Sequence, residues 1–312
     1  MRRIQNKVAE SRRTLPLAIL YSVAIWLVAG LISKQWWIQL ALFLLSTYLM
    51  MHMNNINVLI RIFSRMVSVS FIILSTSAVF LFPSINGSFV QLCFIASLLS
   101  FYNCYQDTES PGWTFYAFLC LGMGSIVEIH ILYFVPIFWL MMIIIVYSLS
   151  WRNFLASLVG MLTPYWFWIP WMLWHHNGDL TVLTNHISAL IDFQAPQVNP
   201  LTTQQTMLLV FVAVLGVTGA IHFLRRSTFD KIRTRQLYYS FFIIGTSAFI
   251  FLILQPQHYD TLIRIMIIAV SPLIGHFLAL TKTKITNIAF IVITIAVLVL
   301  TAFNLWTSSS PF

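Results

Sequence analysis

The chain is a succession of apolar runs, each close to the length of a bilayer crossing, with little that is polar between them. About 20 apolar residues cross a membrane as a helix, because lipid cannot bond a bare peptide group and a helix bonds its own. Eleven such runs can be counted, at about 16–33, 36–53, 62–82, 88–105, 113–127, 131–149, 154–174, 205–224, 238–254, 261–280 and 285–305. Of the 312 residues, 59% are hydrophobic and 8% are charged, with a mean hydropathy of +0.87. Soluble domains carry about 25% charged residues. Length therefore counts spans here, and the expectation is a single integral membrane domain over 1–312: an all-α, polytopic transmembrane helical bundle of about 11 spans. The run 113–149 is too long for one span and short for two, and it is split at Glu128 and His130. Gly122 and Gly124 make its first half thin enough for close helix contact.

Basic residues orient such a bundle, because cytoplasmic loops carry the excess of Lys and Arg. With residues 1–15 as a basic cytoplasmic N-terminus, Arg2, Arg3, Lys7, Arg12 and Arg13 lie inside. So do Arg61, Arg65, Arg152, Arg225, Arg226, Lys231, Arg233, Arg235, Lys282 and Lys284, which makes fifteen of the seventeen. Lys34 and Arg264 fall at or near the outer side. The expected setting is a bacterial inner membrane, with the N-terminus inside and the C-terminal SSSPF outside. No small-x-small cleavage site is evident near Ser33, so the first helix is expected to be retained. The net charge of +9 belongs to these topology clusters and does not indicate nucleic acid. Cys93, Cys104 and Cys120 lie in apolar runs without metal-ligand spacing, so neither a disulfide framework nor a metal or other cofactor is expected. Sequence patterns for nucleotide hydrolysis, zinc proteolysis and serine hydrolysis are lacking.

The polar residues of the outer side gather around one long loop, 175–204. Within it, Leu180, Leu183, Ile187, Leu190 and Ile191 recur at helical spacing. They predict an amphipathic helix over about 180–191 lying on the outer membrane surface. Asn177, Gly178 and Asp179 form the turn and cap before it. His175, His176, His186 and Asp192 share this loop. Glu128 and His130 sit at the turn on the same side, as does the stretch QPQHYD with His258, Tyr259 and Asp260. Histidine and tryptophan also suit the headgroup zone of a bilayer, so His175, His176 and the series Trp166, Trp168, Trp171 and Trp174 have an interfacial reading as well. Glu128 and Arg264 differ, since ionisable groups at or inside a span are costly and need a partner or a function. Glu128 can snorkel at a helix end, and Arg264 can pair with Asp260 four residues before it.

Two resemblances bear on function. The stretch EIHILYFVPIFWLMMIIIVYSLSWR at 128–152, followed by NFLASLVGMLTPYWF, resembles a family of uncharacterised multi-spanning inner-membrane proteins of Bacteroidota, some labelled β-carotene monooxygenase. An iron oxygenase needs several converging histidines, and the chain has no H-x-x-x-H pair. The order of features also resembles the GT-C glycosyltransferases, multi-spanning enzymes that use polyprenyl-phosphate sugars. The matching features are FLCLGMGSIVEIHILYFVPIFWL before Trp151 and Arg152, then Pro170 and Trp171 leading into the outer loop, then His258, Tyr259 and Arg264 before Pro272. The usual acidic residue of the first outer loop is missing from SKQWW at 33–37.

The second resemblance implies a transferase acting on a lipid-linked sugar at the outer face. Asp179 or Glu128 would be its base. Arg264, His258, Tyr259, His175, His176 and His186 would bind the lipid phosphate and substrate. The alternatives are a non-catalytic scaffold or partner of envelope glycan machinery, and a lipid or small-molecule transporter. Membrane lipids are the expected surroundings in each case.

Overall fold

The computed structural model describes residues 3–175, 179–191 and 201–309. Among these the chain forms thirteen α-helices and no strand. They are α1 (Ile4–Glu10), α2 (Thr14–Val28), α3 (Trp37–Asn57), α4 (Met66–Ser77), α5 (Ile85–Tyr102), α6 (Pro111–Val127), α7 (Val135–Ile144), α8 (Trp151–His175), α9 (Thr181–Ile191), α10 (Thr203–Arg226), α11 (Ile232–Leu254), α12 (Tyr259–Leu280) and α13 (Lys284–Ser309). Each of the eleven apolar runs falls on one of these helices, and α1 and α9 are the two others. Five stretches among the described residues are long and apolar enough to cross a membrane: Ile85–Tyr102, Thr203–Phe229, Ile232–Leu254, Pro256–Leu280 and Lys284–Thr307. Large apolar side chains such as Trp166, Phe167, Trp174, Val217, Ile285 and Val299 stand exposed around the bundle. Apolar surface on that scale suits lipid and not water.

α12 is the central pillar. From Thr261 to Ala279 every one of its residues is buried, and it packs against α4, α5, α10 and α11. The α6–α8 pair is the other close seam. A Cβ on Gly122 would run into the Met161 carbonyl, and one on Gly160 into the Phe115 carbonyl. Both glycines are there because the two backbones touch, as the sequence suggests for Gly122.

Two helices are interrupted, and each interruption is closed by protein. α4 ends at Ser77 and is followed by a 3-10 turn, Val79–Leu81. Asn304 Nδ2 donates to the Ser77 carbonyl at 2.7 Å, and Arg264 Nη2 donates to the Leu81 carbonyl at 2.5 Å. Irregular backbone inside a membrane bundle is tolerable where side chains bond it in this way. The run 113–149 divides as expected. α6 stops at Val127, Glu128 is extended (φ −139°, ψ 97°), and a 3-10 stretch Ile129–Phe134 leads into α7, with Pro136 in its first turn. Six residues at about 2 Å and ten at about 1.5 Å reach roughly 27 Å, near the ~30 Å of a hydrocarbon core.

The basic clusters meet at one end of the bundle. Arg3 donates to the Lys282 carbonyl, and the buried Gln5 donates to the Leu278 carbonyl (2.8 Å) and to Thr281 Oγ1 (2.6 Å). The N-terminal stretch is therefore a docked helix rather than a free basic tail. Arg233 bonds Asn57 and the Tyr102 carbonyl and lies over the Tyr105 ring. Asn153, beside Arg152, reaches the Asp107 carbonyl. At the opposite end Ser84 bonds Asp260, Tyr259 bonds the Gln205 carbonyl, and Glu128 meets His258. Connections alternate between these two ends in chain order.

Candidate functional site

Glu128, His130 and His258 come together at this second end. Glu128 is the first residue after α6, and its extended backbone turns the chain so that His130 stands beside it on the 3-10 stretch. Gln255 ends α11 with a non-helical backbone (φ −135°, ψ 74°), and the tight turn Pro256–His258 carries His258 to the head of α12. His130 Nδ1 is hydrogen-bonded to Glu128 Oε1, and His258 Nδ1 lies 3.7 Å from the same oxygen. The two imidazoles stack with centroids 3.4 Å apart and planes 28° from parallel. One donor atom from each of the three residues falls within 4.8 Å of the others.

α9 packs over this corner. His130 Nε2 bonds the Ala189 carbonyl at 3.1 Å, Tyr133 donates to the Leu190 carbonyl at 3.1 Å, and His186 Nε2 bonds the Ser125 carbonyl at 3.1 Å. Beneath lies a cavity of about 200 Å³, walled by Tyr133, Pro136, Phe251, Leu254 and Leu262, with His130, His258 and Gln255 as its polar lining. Gln255 is buried. The Tyr133 hydroxyl approaches its amide, yet neither amide atom has a well-formed hydrogen bond.

Burial raises the Glu128 pKa, but the hydrogen bond and charge of His130, with the charge of His258, outweigh it and leave the carboxyl below its ordinary range. It is thus poised as an anion. Burial holds His186 below the usual histidine range, partly opposed by its bond to the Ser125 carbonyl and by the charge of Glu128.

The other expected site residues lie elsewhere. Asp179 caps α9, accepting from the Thr181 amide and hydroxyl, both at 2.8 Å. The helix predicted over about 180–191 is present as Thr181–Ile191, with Leu183 and Leu190 half-buried and Leu180 and Ile187 exposed. Tyr259 is buried and donates to the Gln205 carbonyl at 2.7 Å, tying α12 to the first turn of α10. Arg264 is buried, with Nε on Asp260 (2.9 Å), Nη1 on Gln91 (3.1 Å) and Ser88 (3.4 Å), and Nη2 on Leu81. Neither Arg264 nor Asp179 lines the cavity. His175 is exposed, with its ring 4.5 Å from that of Trp171. His186 sits against Trp168 and Tyr165. His176, Asn177, Gly178 and Asp192 fall outside the described residues.

Sequence reading grouped His130 with Glu128 and His258 at one side but did not assign it to the site, and it missed Gln255 and Tyr133. A Glu-x-His spacing is weak by itself. It becomes a pair here because the chain leaves the helix between the two residues. A further group at the basic end was also missed. His276 Nε2 contacts Asp230 Oδ2 at 2.9 Å, His222 lies 3.4 Å from His276 Nδ1, and Arg61 lies 4.0 Å from Asp230 Oδ1. The side chains of Asp230 and His276 are buried, and they tie the α10–α11 connection to α12.

Comparison with protein-family models, with curated proteins and with solved structures gives no match.

Proposed function

We propose that this is a polytopic protein of a bacterial inner membrane, with eleven crossing helices, the N-terminus inside and the C-terminus outside. In this reading it works at the outer face on a polyprenyl-phosphate-linked sugar, in a GT-C-like manner. The observation that carries it is the joining of a carboxylate and two histidines to the polar end of an apolar cavity beneath a surface helix. A lipid-borne substrate needs such a pairing of an oily wall with a polar head site. Gathering of fifteen basic residues on one side supports the orientation.

His258, His130 and Gln255 are the groups suited to hold the phosphate and sugar. Both contacts of Glu128 with the histidines use Oε1. Oε2 would take the proton from the acceptor hydroxyl as that oxygen attacks the sugar carbon and the lipid phosphate departs. A second reading, a non-catalytic partner of envelope glycan machinery, draws support from Arg264 and Asp179, whose bonds hold the fold.

Native mass spectrometry of the purified protein tests the proposal. The parent should carry a polyprenyl phosphate or its sugar ester, and His258→Ala should carry less than about a tenth as much, a loss of ~1.4 kcal/mol or more in binding. A parent free of such lipid removes the transferase reading. Equal lipid in both proteins removes this site from it.

A further inference from the structure

We infer that Glu128, His130 and His258 form a site for a divalent cation of zinc-like preference. Glu128 and His130 come from one turn of the chain and His258 from another, and their donor atoms lie within 4.8 Å of one another. Two imidazoles and one carboxylate make up a donor set that zinc and similar ions use, with further positions left to water or substrate.

Hydrogen-bond roles point the same way. The Ala189 carbonyl can only accept, so His130 Nε2 must carry a hydrogen. In a neutral ring Nδ1 is then a bare lone pair, and it faces Glu128 Oε1, itself an acceptor. His258 Nδ1 faces the same oxygen from 3.7 Å. With both rings neutral, three acceptor atoms thus lie close together, and either a proton on His130 or a metal cation among them relieves their repulsion. One proton can join one pair of these donors. Two protonated imidazoles stacked 3.4 Å apart would repel each other. A dication serves all three donors together.

Donors around a tetrahedral zinc lie about 3.4 Å apart, from bonds of about 2.1 Å. The separation between His258 and Glu128 is already close to that, and His130 has only to swing outward slightly. The bond from Nε2 to a main-chain carbonyl is also the outer contact that orients metal-bound histidines. Gln255 supplies an independent sign of a ligand. It is 4% exposed, lines the same cavity as both histidines, and has neither amide atom in a well-formed hydrogen bond. A metal-bound water or substrate oxygen would give that amide a partner beyond the Tyr133 hydroxyl.

The inference shares its residues with the transferase reading and deepens it, because a dication lets an anionic phosphate approach the Glu128 carboxylate. It is tested without lipid substrate. The full chain, purified in detergent with a histidine-free affinity tag, is stripped with a chelator and dialysed against Zn²⁺. Bound metal is then counted by elemental mass spectrometry, and Co²⁺ is substituted for its visible absorption.

The parent should take up one Zn²⁺ per chain and give a Co²⁺ ligand-field band. Glu128→Gln and His258→Ala should weaken uptake by more than the roughly 10–100-fold that loss of a mere outer partner costs. His52→Ala, whose ring stacks on Tyr48 in α3, should bind as the parent does. Circular dichroism reports whether each variant is folded, and the parent's own stoichiometry stands without any variant. Less than stoichiometric uptake by the parent overturns the inference, as does unchanged uptake in folded Glu128→Gln or His258→Ala. Metal taken up by lipid-free protein supports it even if native mass spectrometry finds no polyprenyl lipid. Polyprenyl lipid held equally well by metal-free protein overturns the link to phosphate and leaves the transferase reading standing.

Discussion

Removing the Arg264 guanidinium should weaken the whole bundle, because this group joins α12 to α5 and closes the break after α4. Arg264→Ala deletes a charged hydrogen bond to Asp260, a bond to Gln91, a long one to Ser88 and the cap on the Leu81 carbonyl. Breaking a buried ion pair from one side costs about 3–5 kcal/mol. Asp260 is 37% exposed at its side chain and keeps its bond to Ser84, so its orphaned carboxylate can hydrate. That places the effect near the lower end, about 3 kcal/mol. Arg264→Lys keeps one point charge for Asp260 but cannot also reach Leu81 and Gln91 in the fork geometry of a guanidinium. It should cost about 1–2 kcal/mol, the net worth of the neutral bonds lost. Unfolding titrations in mixed micelles measure both changes. Combining Arg264→Ala with Asp260→Asn should cost less than the two single changes together, since the two residues act as a pair. An Arg264→Ala protein within about 0.5 kcal/mol of the parent, the range of a surface change, would refute the structural role. The guanidinium would then be free for a lipid phosphate, as the sequence alone suggested.

Three other outcomes follow from the geometry. Gly160→Leu should drive α8 away from the Phe115 carbonyl of α6 and destabilise by at least the ~1–3 kcal/mol of an overpacked core; a thermal midpoint equal to the parent's would contradict the backbone contact. Asp179→Ala removes the cap on α9 and should cost about 1 kcal/mol, read as faster hydrogen exchange over 181–185 with the rest unchanged. Asp230→Ala leaves the buried His276 without its hydrogen-bond partner and should cost about 1–3 kcal/mol; a loss under about 0.5 kcal/mol, the range of a surface change, would show that the group holds nothing together.

How much was legible in the sequence depended on the range over which each feature is determined. The split at Glu128 could be seen because a carboxylate interrupts an otherwise unbroken apolar run. α9 could be seen because its stripe repeats within eleven residues, and the Asp260–Arg264 pair because it spans one helical turn. Features that need two distant segments were not visible. Gln5 and Asn6 read as part of a basic tail until Thr281 is found beneath them. His130 gains its role only when the head of α12 brings His258 onto its ring. Asp230 lies in a connection and His276 inside an apolar run, and nothing in their spacing of 46 residues announces the pair. The break after α4 is likewise hidden, since its closing groups, Asn304 and Arg264, come from α13 and α12.

The central claim is that the Glu128, His130 and His258 site lies on the outer face and the basic clusters on the inner. Site-directed cysteine labelling tests this most directly. Cys93, Cys104 and Cys120 are replaced by alanine, and single cysteines are introduced by Leu180→Cys, at the head of the helix that covers the site, and Phe229→Cys, in the α10–α11 connection. Both positions are exposed, at 54% and 63%. A membrane-impermeant maleimide added to cells with a permeabilised outer membrane should label position 180 and leave position 229 unreacted until the inner membrane is opened. Labelling of position 229 from outside, with position 180 protected, would invert the topology and place the site in the cytoplasm.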